Sequence, residues 1–125
     1  MTHPRPAALL RHRPPALLLD EIESFTGTHL ACTARGCGPW EWPQLLEGAA
    51  QCAGLLAGMQ PGGPANTAVI AAYEGIVVRA QHHHGPVKFF ASLERRPLHF
   101  WRCRCEARAA EGTPLLSGTV TIAPA

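Results

Sequence analysis

Apolar and polar residues alternate with period two over most of the chain, a pattern typical of strands that bury one face. The alternation is clearest at residues 102–106, where the apolar Cys103 and Cys105 alternate with charged residues. Gly-Pro and Arg-Pro pairs separate several of these segments, as expected of turns. The pattern predicts six strands, at residues 16–25, 29–35, 71–78, 86–95, 98–109 and 115–123.

Residues 42–59 break the alternation and predict one long helix. Pro43 suits a first helical turn, where its missing N–H group costs nothing, and a Gly-Pro-rich segment at residues 60–64 ends the pattern. Apolar residues occupy nearly every side, which is typical of a buried helix. The order of elements therefore predicts an α+β fold, with an antiparallel sheet of about six strands wrapped around one helix. The edges of such a sheet favour pairing with a second copy.

Length and composition limit the number of domains and the kinds of partner. The chain of 125 residues predicts a single domain over residues 1–125, with residues 1–15 as an N-terminal arm. Only 16% of the residues are charged, against a usual share of about 25%, which indicates a surface partly covered by another subunit. A net charge of only +2, spread evenly along the chain, argues against a nucleic-acid partner. No apolar run has the length of a membrane span or the form of a signal peptide.

The five cysteines and the run His82-His83-His84 are the candidate metal ligands. An odd number of cysteines without secretory context indicates reduced thiols and a cytoplasmic location. Consecutive histidines on a strand point to opposite faces, so they chelate poorly, and no second Cys pair stands at zinc-site spacing. The sequence predicts no metal and no cofactor.

Glu47 and Gln51 are the only polar side chains between Leu45 and Met59 of the predicted helix. Four positions apart, they share one face. An ionised carboxylate is costly to bury, so a carboxyl group there is suited to donate or accept a proton, with Gln51 orienting it or binding a polar part of a ligand. Alternatively, Glu47 lies at the solvent edge and Gln51 bonds neighbouring backbone. The residues alone leave both interpretations open.

Four segments resemble a known family. Residues 10–22 carry a His-Arg-x-Pro pattern, an apolar run and an acidic residue, and residues 45–54 carry a Glu, three residues, then a Gln. Together they look like the opening and the central helix of the hot-dog-fold 3-hydroxyacyl-acyl-carrier-protein dehydratases and their relatives linked to aryl polyene pigments. Residues 84–89 and 112–121 are similar to that family's turn between outer strands and its closing hairpin and last strand.

The resemblance implies a six-stranded antiparallel sheet around the helix, with an acyl tunnel along a subunit interface. In that family a histidine of one subunit and the helix carboxylate of the other remove the proton beside the thioester carbonyl and assist loss of the 3-hydroxyl group. Glu47 corresponds to the carboxylate and Gln51 to the glutamine one turn later. Backbone N–H groups near residues 43–45 would face the carbonyl oxygen.

The same resemblance suggests which further residues contact the substrate. They lie in the loop before the helix and at the helix start: Cys37, Gly38, Trp40, Trp42 and Leu45. The two tryptophans would narrow the tunnel or stack on an aromatic acyl group. Alternatively, they close an edge of the core.

The chain departs from this family at the catalytic histidine, because an ungapped count places that position at Thr33. Three explanations stay open. Cys37, Glu41 or one of residues 82–84 replaces it; a histidine-bearing homologue supplies it in a heterodimer; or the reaction is thioester hydrolysis, in which a helix carboxylate activates water.

The leading hypothesis is dehydration of a 3-hydroxyacyl thioester carried by acyl-carrier protein or CoA in a fatty-acid or polyketide-like pathway, with Glu47 as acid and base. The alternatives are an acyl thioesterase that uses Glu47 and a non-catalytic acyl-binding subunit. The expected assembly is a homodimer or a higher homo-oligomer, or a heterodimer with a homologue.

Overall fold

The structure, a computed structural model, describes residues 3, 5–6, 17–35, 39–63, 68–95 and 100–124. The predicted N-terminal arm, residues 1–15, lies almost wholly outside these ranges. Its described residue Pro6 is buried.

Eight strands and one long helix, α1 (Trp42–Gly58), make up the described fold. The strands are β1 (Glu21–Phe25), β2 (His29–Ala34), β3 (Trp40–Glu41), β4 (Ala68–Val78), β5 (His82–His83), β6 (Val87–Arg95), β7 (Trp101–Ala109) and β8 (Pro114–Pro124). Six of them form one antiparallel sheet in the order β1-β2-β6-β7-β8-β4, and β3 pairs with β5. The predicted α+β architecture is confirmed, and β1 and β4 are the edges of the larger sheet.

The helix packs against the inner face of the sheet, in contact with β2, β4, β6, β7 and β8. All residues from 48 to 57 are buried, as expected of a helix that is apolar on nearly every side. Along β7 the predicted alternation holds, because Cys103 and Cys105 are buried in the core whereas Arg104 is exposed. Among the described residues, no helix has the length and apolar character needed to cross a membrane.

Several element ends differ from those predicted. The first strand begins at Glu21 rather than at residue 16, although the N–H group of Asp20 still donates to the Thr33 carbonyl at 2.9 Å. Strand β4, which was predicted to begin at residue 71, begins at Ala68. The β3–β5 pair was not predicted, since two-residue strands show no period.

Candidate functional site

Glu47 and Gln51 lie side by side on α1, as their spacing predicts. The Gln51 Nε2 group donates to Glu47 Oε1 at 3.3 Å. Gln51 is almost fully buried, with 2% of its surface exposed, whereas Glu47 is half-buried. The pair therefore runs from the interior to a point that solvent or a ligand can reach.

The Gln51 amide is held from its other side by the segment before β1. The backbone N–H group of Leu18 donates to Gln51 Oε1 at 2.9 Å. A buried side-chain amide with partners on both its oxygen and its nitrogen is fixed in orientation. Gln51 thus bonds both the Glu47 side chain and neighbouring backbone, and the use of the pair in acid–base chemistry stays a prediction.

Close packing holds the helix against the sheet beside this pair. A Cβ atom at Gly48 would overlap the ring of Phe89 on β6. Phe89 in turn meets Trp40 edge to face, with ring centroids 5.8 Å apart. Glycine at this position therefore lets Phe89 approach the turn that carries Glu47.

The β3–β5 pair lies at the N-terminal end of α1. The N–H group of Trp42 donates to the Gln81 carbonyl at 3.0 Å, and that of Glu41 to Gln44 Oε1 at 2.9 Å. Trp40 Nε1 donates to the carbonyl of Gly85 at 3.1 Å. These bonds fix the start of the helix and engage two N–H groups that precede residues 43–45.

The predicted substrate contacts occupy different surroundings. Trp40 is 4% exposed and belongs to the core, and Leu45 is fully buried. Trp42 is 38% exposed on the first turn of α1. Cys37 and Gly38 lie outside the described residues. Trp40 therefore closes an edge of the core, as the alternative interpretation expected. The side chain of Trp42 is exposed and accessible to a ligand or a partner.

No family model and no curated protein matches the chain, but solved structures do. A structure described as the dehydratase heterocomplex ApeI:P from Xenorhabdus doucetiae superposes with a TM-score of 0.83 at 15% identity, over 98% of this chain and 92% of that one. A hypothetical thioesterase with coenzyme A from Streptococcus pneumoniae TIGR4 gives 0.69 at 14% identity, over 84% of each chain. A sigma28-regulated virulence protein from Campylobacter jejuni gives 0.73 at 12% identity, over 96% and 95%.

The chain has a hot-dog fold. At these identities the likeness concerns the fold, namely the long helix enclosed by a six-stranded antiparallel sheet. Glu47 and Gln51 lie on that central helix of the hot-dog fold.

Of the residues that could replace the family's catalytic histidine, Glu41 and residues 82–84 are described by the structure. In this hot-dog chain Glu41 lies opposite His82 in the β3–β5 pair, at the helix start. The rings of His82 and His84 are 6.3 Å apart. Cys37 lies outside the described residues.

The four described cysteines, Cys32, Cys52, Cys103 and Cys105, are free and buried. Cys52 Sγ lies 3.9 Å from Cys32 Sγ, and this contact together with burial raises the pKa of the Cys52 thiol. Thiols of this kind are unreactive. Within the described part of the chain, no group of three or more His, Cys, Asp or Glu side chains is arranged to hold a metal ion.

Tyr73 is a polar residue on the inner face of the sheet that the sequence did not indicate. It lies on β4, opposite Val120 of β8. Val120 is fully buried in the core, and directly opposed residues of an antiparallel pair share a face, so Tyr73 is on the helix side of the hot-dog sheet. Its pKa is raised by burial and then by the negative charge of Glu47. The β4–β8 register would have revealed it, but that register is not readable from one sequence.

Proposed function

We propose that this hot-dog chain acts on acyl thioesters and that it dehydrates 3-hydroxyacyl thioesters. The observation that carries the proposal is the Glu47–Gln51 pair, a carboxylate held by a buried amide on the central helix. Two comparisons support it: one similar structure is described as a dehydratase heterocomplex and another as a thioesterase with coenzyme A.

In the proposed reaction Glu47 first acts as a base. It takes a proton from the carbon beside the thioester carbonyl, the electron pair left behind forms the carbon–carbon double bond, and the C3–O bond breaks. Glu47 then gives the proton to the departing hydroxyl group, which leaves as water. Gln51 keeps Glu47 Oε1 in place through its 3.3 Å hydrogen bond, so that one carboxyl group serves both proton transfers.

The proposed substrate is carried on acyl-carrier protein or CoA. The proposed unit is one hot-dog domain over residues 1–125 that associates with a second copy or with a homologue. Edge strand β4 suits this contact, because Val69, Ile70 and Val77 are exposed along it. An apolar, unpaired edge favours addition of another strand.

Thioester hydrolysis is the second candidate function. Several similar structures are described as thioesterases, among them the hypothetical pneumococcal thioesterase with coenzyme A. The half-buried position of Glu47 supports this candidate too, because water can reach the carboxylate there. In this reaction Glu47 would activate water for attack on the thioester carbonyl.

Mass spectrometry of the purified protein with defined substrates tests the proposal. The substrates are a 3-hydroxyacyl and a saturated acyl thioester, each on CoA and on carrier protein. We expect the 3-hydroxyacyl substrate to lose one water, and Glu47→Gln to slow this by about 10²-fold or more, since a positioned acid–base group typically contributes that much. Glu21→Gln, which changes an exposed carboxylate on β1, is the matched control and should leave the rate unchanged.

Each other outcome changes the assignment. Release of free thiol that Glu47→Gln abolishes would establish the thioesterase instead. Turnover of neither substrate by the chain alone would overturn both enzyme assignments and favour an acyl-binding subunit. Equal activity of wild type and Glu47→Gln would remove Glu47 from the chemistry.

A further inference from the structure

Segment 17–20, which precedes β1, reaches Gln51 on α1 through its backbone. The N–H group of Leu18 donates to Gln51 Oε1 at 2.9 Å. Leu18 is half-buried, and the next residue, Leu19, belongs to the core. Because β1 begins only at Glu21, the regular strand does not include this segment, and other contacts hold it in place.

Asp20 fastens segment 17–20 to the end of β2 with two hydrogen bonds. Its N–H group donates to the Thr33 carbonyl at 2.9 Å, and its Oδ2 atom accepts from the N–H group of Arg35 at 2.7 Å. A hydrogen bond to an ionised carboxylate is shorter and stronger than one between neutral groups. One bond holds the backbone of Asp20 and the other its side chain, so the chain leading back to Leu18 is fixed in both position and direction.

The bond from Leu18 decides which end of the Gln51 amide faces Glu47. An amide oxygen accepts hydrogen bonds, whereas the amide nitrogen donates them. Since Leu18 engages the oxygen, Gln51 turns its Nε2 group towards Glu47 Oε1, 3.3 Å away. An amide rotated the other way round would set its oxygen against the carboxylate, which is two acceptors facing each other. The Leu18 N–H group therefore maintains the orientation in which Gln51 supports Glu47.

We propose that Asp20 is a positioning residue for Glu47. By holding segment 17–20 on β2, it keeps the Leu18 N–H group on Gln51 and so keeps the carboxylate in place. The inference rests on the proposed function, because Glu47 is the proton-transferring group of that reaction. Asp20 is exposed and acts only through the Leu18 backbone and the Gln51 amide. Its effect belongs to the rate of the chemical step rather than to substrate binding.

Nuclear magnetic resonance tests this linkage without any substrate. Asp20→Ala removes the acceptor of the Arg35 N–H group, whereas Asp20→Asn keeps an acceptor oxygen at the same place. We expect hydrogen exchange of the Leu18 amide to become about tenfold faster in Asp20→Ala, the worth of one hydrogen bond. The signals of the Gln51 side-chain NH2 group should shift in the same variant. Both measurements on Asp20→Asn should lie close to the wild type.

Two controls separate this effect from a general loss of stability. Glu21→Ala removes the exposed carboxylate of the next residue and should leave the Leu18 and Gln51 signals unchanged. The amide of Cys105, in a strand paired on both sides, reports unfolding of the whole protein, and its exchange should accelerate less than that of Leu18. Unchanged Leu18 and Gln51 signals in folded Asp20→Ala, or equal acceleration at Leu18 and Cys105, would overturn the inference.

Steady-state kinetics with the 3-hydroxyacyl thioester tests the consequence for catalysis. We expect kcat of Asp20→Ala to fall about tenfold with KM unchanged, the worth of one hydrogen bond, and Asp20→Asn to recover most of that loss. Gln51→Met replaces the amide by an apolar side chain of similar length. In this background Asp20→Ala should have no further effect on kcat, because the two residues act in series. Additive effects of the two substitutions would overturn the role of Asp20.

The two experiments distinguish a failure of this inference from a failure of the proposed function. If folded Asp20→Ala keeps its kcat while Glu47→Gln is inactive, the proposed function stands and the role of Asp20 is overturned. If the wild type turns over no substrate, the proposed function fails, and the magnetic resonance measurement decides the inference by itself. Faster exchange at Leu18 with shifted Gln51 signals then supports it, and unchanged values overturn it.

Discussion

At the scale of single residues, Gly48 marks the closest approach of the helix to the sheet. Glycine in the middle of a helix usually costs about 1 kcal/mol relative to alanine, so its presence needs a packing reason. The Phe89 ring supplies that reason, because it occupies the space that a Cβ atom would fill. Phe89 is itself fully buried and packed edge to face on Trp40, so it has little room to move.

We therefore expect Gly48→Ala to destabilise the protein by about 1–3 kcal/mol, the usual cost of overpacking a core. This is the opposite of the stabilisation that alanine normally gives in a helix. Urea unfolding followed by circular dichroism measures the change. In the background of Phe89→Leu, which shortens the obstructing side chain, the same substitution should cost less, as a double-mutant cycle will show. Equal costs in both backgrounds would mean that Phe89 is not the obstacle.

At the scale of elements, the β3–β5 pair determines how α1 begins. It brings the Gln81 carbonyl to the N–H group of Trp42, and the Gly85 carbonyl to Trp40 Nε1. Trp40 and Trp42, which are two residues apart, therefore differ in burial. Trp40 closes the core beside Phe89, whereas Trp42 remains exposed on the first turn.

Trp40→Phe should cost about 1 kcal/mol of unfolding free energy for the lost hydrogen bond to the Gly85 carbonyl. Trp42→Phe, the matched exposed position, should change it by less than about 0.5 kcal/mol. Chemical denaturation of both variants measures the two values. A larger loss in Trp42→Phe than in Trp40→Phe would contradict the assignment of Trp40 to the core.

At the scale of the whole molecule, buried thiols from α1, β2 and β7 lie in one core. Burial raises the pKa of Cys103 to about 12, and the pKa values of Cys52 and Cys105 also lie above their ordinary value. In the unfolded chain a thiol ionises at about 8.5. Since the unfolded state then loses protons that the folded state keeps, raising the pH favours unfolding.

The free energy of unfolding should thus be fully retained below about pH 8.5 and should fall as the pH rises towards the folded-state value of about 12 for Cys103. Denaturant unfolding across this alkaline range measures the slope. Cys103→Ala removes one contributing thiol and should make the slope shallower. A stability that stays constant across the range would rule out this linkage.

The order of elements and the helix were readable from the sequence because they depend on local pattern. Pro43 and the apolar sides of residues 42–59 suffice to predict α1, which ends one residue earlier at Gly58. The period-two alternation likewise locates the strands to within a few residues, apart from the first, which starts five residues late at Glu21. Glu47 and Gln51 were found for the same reason, since a spacing of four residues places two side chains on one helix face.

What depends on contacts between distant segments was decided only by the tertiary structure. The bond from the Leu18 N–H group to Gln51, the packing of Trp40 against Phe89 and the pairing of Tyr73 with Val120 each join residues far apart in the chain. Strand register selects such neighbours, and a shift of one residue would turn Tyr73 to the other face. The sequence by itself determined the helix, its polar pair and the strand pattern, and the packing of sheet around helix decided which side chains surround that pair.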